Sequence, residues 1–132
     1  MAGVKSMCKL LMSINPEHVE NILAGRKKFE FRKTKCKEQI DSIVIYSTAP
    51  VMKVVAEVEV KGIIEDTPQS VWKRTSSAAG IDKKFFDRYY SGREQAVAYI
   101  LGCVKQFDAP RQLIDYGVKA APQSYVYIRS ES

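Results

Sequence analysis

The sequence predicts an α+β protein, a small mixed but mostly antiparallel β-barrel with two or three flanking helices. About six short segments carry the apolar or alternating pattern of β-strands, and only two or three carry a helical pattern. The helices do not alternate regularly with the strands. Because a doubly wound parallel sheet needs that alternation, a small antiparallel barrel with helices at its mouth is the better prediction.

The first elements are a strand over 9–14 and a helix that begins at Pro16. Asn15 is the expected N-cap, and proline suits the first turn of a helix. Apolar residues follow at helical spacing until Gly25, which has the position after a helix where glycine is typical. A basic strand over 28–33 comes next.

The rest of the chain supplies the remaining elements. The clearest strand lies over 51–60, because Val54, Ala56, Val58 and Val60 alternate there with Val55, Glu57 and Glu59. Asp82 is a suitable cap for a helix that ends before Gly92. Further strands are expected over 42–47, 95–104 and 124–129, a further helix from Pro68 through Trp72, and a short helical turn near Leu113.

Length and composition predict one domain over 1–132, with flexible ends at 1–7 and 130–132. No signal peptide or apolar run of about 18 residues occurs, so we expect a cytoplasmic protein that does not span a membrane. The widely spaced cysteines, Cys8, Cys36 and Cys103, indicate neither a disulfide framework nor a metal site. No cofactor is indicated, and the one histidine, His18, is expected to lie exposed on a surface helix.

The charge of the chain points to an anionic partner. The formal net charge is +6, and seven of the 21 basic residues lie between positions 26 and 37, with Glu30 the one acid among them. In an extended chain, Phe29 and Phe31 point to one side while Lys28, Glu30 and Arg32 point to the other. This pattern predicts a strand with an apolar underside and a cationic outer face, which suits nucleic acid. A basic domain with no such partner is nearly as good an interpretation.

Several motifs resemble the ASCH domain, a member of the PUA-like superfamily. The family's pattern is Gly-x-Lys-x-x-Glu-x-Arg after the first helix, and Gly25, Lys27, Glu30 and Arg32 match it in position. The preceding Ser-Ile-x-Pro at 13–16 also matches. A later helix-then-strand pattern, over 86–92 and 96–100, is similar to one branch of the family.

The resemblance implies a PUA-like barrel with a cleft beside the first helix, where family members are thought to bind RNA or other nucleic acid. Some relatives hydrolyse acetylcytidine, and one is described as a ribonuclease. The expected partner is therefore RNA or a nucleotide, with DNA possible and the oligomeric state open. The alternatives are a hydrolase or ribonuclease, and a protein-interaction module of a transcription or translation complex.

Lys27 is the leading site candidate. It is expected to hold phosphate with Arg32, while Glu30 reads a base or orders the cleft. If the protein is an enzyme, Lys27 is the general base, its pKa lowered by neighbouring cations, and Glu30 is the second catalytic candidate. The plainer alternatives are a surface lysine and a structural Glu30–Arg32 ion pair. The full set of expected ligand-binding residues is Ser13, Arg26, Lys27, Lys28, Glu30, Arg32 and Tyr89.

The chain departs from the deamidating relatives at Glu30, where those relatives carry a threonine nucleophile. A carboxylate cannot replace an activated hydroxyl, and the acid that those relatives use has no clear counterpart here. Candidate hydroxyls elsewhere are Ser13, Thr34, Thr48 and Ser124. Tyr89 or Tyr90 is a candidate stacking residue, but at least one of them is expected in the core with Phe85 and Phe86. Trp72 is expected to pack in the core. The basic residues of 83–93 are expected to form either a solvated face or an extension of the basic cleft.

Overall fold

The computed structural model describes residues 8–129; the ends at 1–7 and 130–132, expected to be flexible, lie outside the described residues. Six strands and three α-helices form the fold, with two short 3-10 turns at Ser76–Ala78 and Leu113–Tyr116. Their order is β1 (Cys8–Ile14), α1 (Pro16–Leu23), β2 (Phe29–Arg32), β3 (Ser42–Ser47), β4 (Lys53–Asp66), α2 (Pro68–Thr75), α3 (Lys83–Tyr89), β5 (Ala96–Arg111) and β6 (Tyr125–Arg129).

The six strands form one curled sheet in the order β2-β5-β4-β3-β1-β6. β1 and β3 pair in parallel, and the other neighbouring strands pair antiparallel. Irregular register along β4 and β5 bends the sheet, since bulges increase local twist. The predicted α+β class and the mixed, mostly antiparallel sheet are therefore confirmed.

Two strands are longer than the sequence pattern predicts. β4 continues to Asp66 rather than ending near position 60, and β5 continues to Arg111 rather than ending near 104. Each extension pairs with the body of the other strand, for example Ile64 with Ala98 and Gln106 with Ala56. Backbone pairing therefore maintains the strands where the side chains no longer alternate between apolar and polar.

Two apolar clusters hold the elements that surround the first helix. Met12, Ile22 and Tyr99 are buried in the cluster that fixes α1 against the sheet. Phe31 and Phe86 lie in the second cluster, which packs β2 and β5 against α2 and α3. Trp72 is a partly buried member of that cluster, as its predicted role in the core requires.

Local capping determines how the chain enters and leaves α1. The Asn15 side chain accepts a hydrogen bond from the Glu17 backbone N–H at 3.0 Å, which confirms the predicted cap. After the helix, Gly25 has a φ of +80°, a left-handed conformation that favours glycine. The backbone N–H groups of Arg26 and Lys27 then both donate to the carbonyl of Asn21, and this turn directs the chain into β2.

The segment between α2 and α3 lies directly on Lys27. The Lys28 backbone N–H donates to the Ala78 carbonyl at 2.8 Å. Gly80 has a φ of +72°, and a Cβ there would lie 2.5 Å from the Cβ of Lys27. Only glycine permits both this conformation and this close approach. No helix within residues 8–129 has the length and apolar character needed to cross a membrane.

Candidate ligand-binding cleft

A cleft of about 180 Å³ opens where the start of α1, the strand β2 and the helix α3 meet. Its polar lining comes from the end of β1, the start of α1 and the segment that runs from Lys27 through β2, and its apolar lining comes largely from α3 and the connection before it. Its lining residues are Ser13, Ile14, Asn15, His18, Lys27, Glu30, Phe31, Arg32, Ile81, Phe85 and Tyr89.

Lys27 is buried within this cleft, with only 3% of its surface exposed. Its Nζ donates to the Ala79 carbonyl at 2.9 Å and lies 4.8 Å from the centroid of the Phe31 ring. An ammonium carries three N–H donors, and this is the one hydrogen bond that Nζ makes among residues 8–129. Lys27 therefore retains donors for a bound molecule, and it is not an ordinary surface lysine.

Burial lowers the pKa of Lys27, because an ammonium loses hydration inside the protein. The Glu30 carboxylate opposes this shift, and the Arg32 guanidinium adds to it. Arg26 and Lys28, which were expected to lower this pKa, are exposed and are not among its causes. The shift therefore arises mainly from desolvation rather than from the basic run.

Glu30 and Arg32 form the ion pair that one of the sequence alternatives predicted, and of the three residues on the expected cationic outer face only Lys28 is exposed. Glu30 is buried, with 6% exposure. Its Oε2 accepts hydrogen bonds from Arg32 Nε at 3.1 Å and from Arg32 Nη2 at 2.9 Å. Both bonds go to Oε2, so Oε1 remains available as an acceptor within the cleft.

Arg32 also connects β2 to the opposite edge of the sheet. Its Nη2 donates to the Ser13 carbonyl at 3.0 Å on β1, and its Nη1 donates to Ser124 Oγ at 3.1 Å just before β6. With the two bonds to Glu30, these contacts use four of the five guanidinium N–H groups. Arg32 is therefore chiefly a wall of the cleft, with little capacity left to grip phosphate.

His18 lies in the cleft, and its predicted exposure on a surface helix is wrong. The ring packs edge-on against Phe85 with centroids 5.5 Å apart. Nδ1 is buried and has no hydrogen-bond partner among residues 8–129. Burial lowers the pKa of His18, Lys27 lowers it further, and Glu30 opposes the shift. The available sequence signal was the spacing, because His18 follows the expected N-cap Asn15 by three residues and both lie at the start of the helix.

The aromatic residues of α3 divide between the core and the cleft. Phe86 and Tyr90 are buried, and the Tyr90 hydroxyl lies 2.8 Å from the Arg32 carbonyl and 3.2 Å from the Val97 carbonyl, so it can donate to either. Tyr89 lines the cleft instead, where it is placed as the sequence alternative of a stacking residue requires. Phe85 also lines it and is 42% exposed, so its expected place in the core is wrong. The Lys33 Nζ lies 4.9 Å from the centroid of the Tyr89 ring.

The remaining predicted ligand-binding residues differ in position. Ser13 lines the cleft, and its hydroxyl donates to the Pro122 carbonyl at 2.7 Å. Arg26 and Lys28 do not line it; the Arg26 side chain donates to Asn21 instead. Among the residues expected to bind ligand, the structure therefore brings together Ser13, Lys27, Glu30, Arg32 and Tyr89.

The other candidate hydroxyls do not line the cleft, although Ser124 Oγ accepts a hydrogen bond from Arg32, which does. Thr34 and Thr48 are not part of it either. No cluster of three or more potential metal-binding side chains occurs within residues 8–129. The cleft lining offers an ammonium, a guanidinium, a carboxylate, an imidazole, an amide, a hydroxyl and aromatic faces.

The curled sheet with its cleft beside the first helix defines the chain as a PUA-like α+β protein. The crystal structure of ASCH from Zymomonas mobilis superposes with a TM-score of 0.83 at 25% identity, over 92% of this chain and 87% of that one. The family model for the ASCH domain matches residues 12–111. The chain therefore belongs to the ASCH domain family, as its motif predicted.

Two curated relatives carry different names. Over 121 residues the chain is 25% identical to large ribosomal subunit protein uL22 from Ureaplasma parvum serovar 3, which covers 91% of this chain and 39% of that protein. Over 102 residues it is 26% identical to the ASCH domain-containing ribonuclease of Zymomonas mobilis, which covers 76% of this chain and 69% of that protein. The chain thus spans well under half of the first relative and about two thirds of the second.

Proposed function

We propose that this chain binds single-stranded RNA and holds one nucleobase in the cleft. The observation that supports the proposal most strongly is the buried Lys27 ammonium beside Glu30, because both retain hydrogen-bonding capacity that faces a cavity. Burying such groups is costly unless they acquire partners. A base offers both donors and acceptors along its edge, and in RNA that edge is readable only when the base is unpaired.

The size and walls of the cleft agree with a single base. A cavity of about 150 Å³ can hold a benzene ring, so about 180 Å³ accommodates a base but not a run of them. Phe85 and Tyr89 supply aromatic surface on which a base can stack. Lys33 sits at the rim beside Tyr89 and is exposed, which suits an adjoining phosphate.

The relatives add support for RNA. One of them is named an ASCH domain-containing ribonuclease, so it belongs to the same family as this chain. The alignment with it covers 76% of this chain. The +6 net charge agrees with a polyanionic ligand. A strand of DNA with the same sequence is the natural comparison ligand, because the 2′-hydroxyl is what distinguishes RNA.

Fluorescence anisotropy with a labelled single-stranded RNA tests the proposal. Lys27→Met keeps the aliphatic stem and removes the ammonium, and we expect it to weaken binding at least tenfold. Lys105→Met removes an exposed charge from β5, outside the cleft, and should bind within about twofold of wild type. Affinity should fall with salt, with a slope of about 0.7 per phosphate contacted.

Thermal unfolding of each variant shows whether the fold is retained. The proposal is wrong if wild type shows no salt-dependent RNA binding at low salt. It is also wrong if Lys27→Met, with its fold intact, binds RNA as well as Lys105→Met does.

A second candidate function is RNA cleavage, which the lowered pKa of Lys27 favours because a neutral amine is more accessible there. In this reaction the Lys27 amine would take the proton of a 2′-hydroxyl, whose oxygen attacks the adjacent phosphorus. The P–O5′ bond breaks, and the departing O5′ takes a proton from water. Amide hydrolysis by Ser13 has less support, because that hydroxyl already donates to the Pro122 carbonyl.

Chromatography of RNA incubated with wild type and Lys27→Met separates the binder from the nuclease. Cleavage by wild type alone, with a rate that rises with pH as the ammonium loses its proton, identifies Lys27 as the base. Intact RNA after incubation with both proteins, at concentrations where wild type is saturated, excludes the nuclease and leaves the binding function.

A further inference from the structure

We propose that the groove between α2 and α3 binds a second base of the same RNA strand, against Trp72, and that the strand reaches it by crossing α3. This inference rests on the proposed RNA-binding function and adds a second site to it. It depends on three stripes of side chains along α3: one lines the cleft, one faces solvent and one lines the groove.

The cleft and the groove lie on opposite sides of α3. Phe85 and Tyr89 line the cleft, whereas Lys83 and Asp87 line the groove, and residues four apart share one face of a helix. The two pairs are offset by two positions, which is about 200° around the helix axis. A helix with its side chains is about 10–12 Å across, so a few nucleotides of an extended single strand can span from the cleft to the groove.

The solvent side of α3, between the cleft and the groove, carries Lys84 and Arg88. Each follows a groove residue and precedes a cleft residue, so the two cations lie about 100° from either side. Both are exposed, and buried Phe86 occupies the opposite, inward side of the helix. Neither cation forms an ion pair with any residue of 8–129. A strand that crosses α3 would therefore place its phosphates beside two free cations.

The groove has a volume of about 510 Å³, which is within the range of ligand sites. From α2 it is lined by Pro68, Gln69, Trp72 and Lys73. From α3 and the turn after it, the lining residues are Lys83, Asp87, Tyr90 and Arg93.

The charges of the groove that remain free are positive. The Asp87 carboxylate is already paired with Lys83 Nζ at 2.7 Å, and the Tyr90 hydroxyl lies 2.8 Å from the Arg32 carbonyl in the interior. Lys73 and Arg93 are exposed, and neither takes part in an ion pair within the described part of the chain. The groove therefore complements an anionic strand.

Trp72 supplies the large aromatic surface of the groove. Its ring packs against buried Phe86 with centroids 4.9 Å apart and planes tilted by 49°, and this contact holds the ring in place. The residue is only partly buried, and it lines the groove. Because every base has an aromatic face, stacking of this kind tolerates any sequence. The groove should therefore add affinity for RNA without selecting a base.

Tryptophan fluorescence reports on the groove directly, because Trp72 is the one tryptophan of the chain. Wild type is titrated at low salt with an unlabelled uridine hexamer, whose integrity is checked afterwards. A base that stacks on Trp72 should quench the emission, and the quenching should saturate together with the anisotropy of a labelled hexamer. Lys27→Met should shift the quenching to RNA concentrations about tenfold higher or more, because one strand fills both the cleft and the groove.

Two variants of Trp72 test the stacking contact by anisotropy of the labelled hexamer. Trp72→Phe keeps an aromatic ring beside Phe86 and should bind within about threefold of wild type. Trp72→Leu removes the ring and should bind about tenfold more weakly. Thermal unfolding shows whether each variant is folded. If Trp72→Leu does not fold, the wild-type quenching and the variants of the solvent side of α3 decide.

The solvent side of α3 is tested without a change in the core. The double variant Lys84→Met and Arg88→Met should bind the hexamer about fivefold more weakly, and its salt slope should fall by about 0.7 for each phosphate contact that is lost. Lys105→Met with Lys119→Met removes the same charge from exposed positions outside the cleft and the groove. This control should keep the affinity and the salt slope of wild type.

The outcomes separate this inference from the proposed function. Absence of hexamer binding overturns both. Binding that leaves the emission of Trp72 unchanged overturns the inference alone, as does equal binding by folded Trp72→Leu and Trp72→Phe, or an equal salt slope for the two double variants. Quenching that Lys27→Met leaves at the wild-type RNA concentration overturns the shared strand. Quenching that Lys27→Met shifts, together with weaker binding by Trp72→Leu than by Trp72→Phe, supports the second site.

Discussion

Two partly buried ion pairs in this molecule each join a glutamate to a basic side chain, and their surroundings differ. On the cleft wall, Arg32 pairs with Glu30 at 2.9 Å; on the sheet, Lys9 pairs with Glu57 at 2.8 Å. The Glu57 side chain is 27% exposed and that of Glu30 is 8% exposed. Water can therefore complete the hydration of Glu57, whereas Glu30 shares its cavity with a second cation.

The Lys9–Glu57 pair on the sheet satisfies its carboxylate with donors from the protein itself. The Ser42 hydroxyl donates to Glu57 Oε2 at 2.6 Å, beside the bond from Lys9. Burial alone would raise the pKa of Glu57, but the hydrogen bonds from Lys9 and Ser42 outweigh it and lower the pKa. The comparison teaches that two similar ion pairs differ in what lies beside them, which is a shaped cavity at Glu30 and water at Glu57.

The largest expected effect comes from breaking the cleft pair. Arg32→Met removes four hydrogen bonds and leaves the Glu30 carboxylate buried without its partner, so we expect a loss of about 3–5 kcal/mol in the free energy of unfolding. Urea denaturation measures this loss. Lys9→Met is the matched control and should lose about 1 kcal/mol or less, because its partner is more exposed.

Adding Glu30→Gln to Arg32→Met sharpens the same comparison. The double variant should recover part of the lost stability, because it removes the orphaned charge. Equal losses for Arg32→Met and Lys9→Met would contradict the distinction between the two pairs.

An intermediate effect is expected from Gly80→Ala, which inserts a Cβ against Lys27. Strain at positive φ and the 2.5 Å contact with Lys27 Cβ together should lower the free energy of unfolding by about 3 kcal/mol and weaken RNA binding. Gly92 has a φ of +77°, and a Cβ there would meet no atom within 4 Å, so Gly92→Ala shares only the strain. It should cost about 1–2 kcal/mol and leave RNA binding unchanged.

The two glycine variants separate backbone strain from the packing of the cleft. RNA affinity is measured by anisotropy and stability by urea denaturation. If Gly80→Ala binds RNA as tightly as Gly92→Ala does, the position of Lys27 does not depend on this contact.

The smallest expected effect on stability comes from Lys27→Met, which should raise the free energy of unfolding where the preceding variants lower it. Burial lowers the pKa of Lys27, so folding disfavours its charged form, and removing the ammonium should stabilise the protein by about 1 kcal/mol at neutral pH. The cost of the charge is fully present below the folded-state pKa. It vanishes as the pH rises through the ordinary lysine value of about 10.4, where the unfolded state also loses the proton.

Denaturation of wild type and Lys27→Met across neutral and alkaline pH checks this sign. The stability difference should shrink as the pH rises. A wild type more stable than Lys27→Met at neutral pH, or a difference that grows with pH, would show that the ammonium stabilises the fold rather than serving a ligand.

The sequence by itself determined the order and type of the elements and the location of the motif. Asn15 and Gly25 act through local backbone geometry, so their roles as cap and helix terminus were predictable from neighbours in the chain. The alternation of Phe31 with Glu30 and Arg32 likewise fixed which side chains share a face. These are short-range effects, and the sequence contains them directly.

Only the tertiary structure decided what that face meets. His18 and Phe85 are far apart in sequence and become neighbours because α1 and α3 meet at the cleft. Lys27 is buried because Ala79 and Gly80 lie over it. Ala79, which accepts its hydrogen bond, is 52 residues further along the chain. Burial and the pairing of polar atoms depend on contacts between distant segments, and local residue patterns do not specify those contacts.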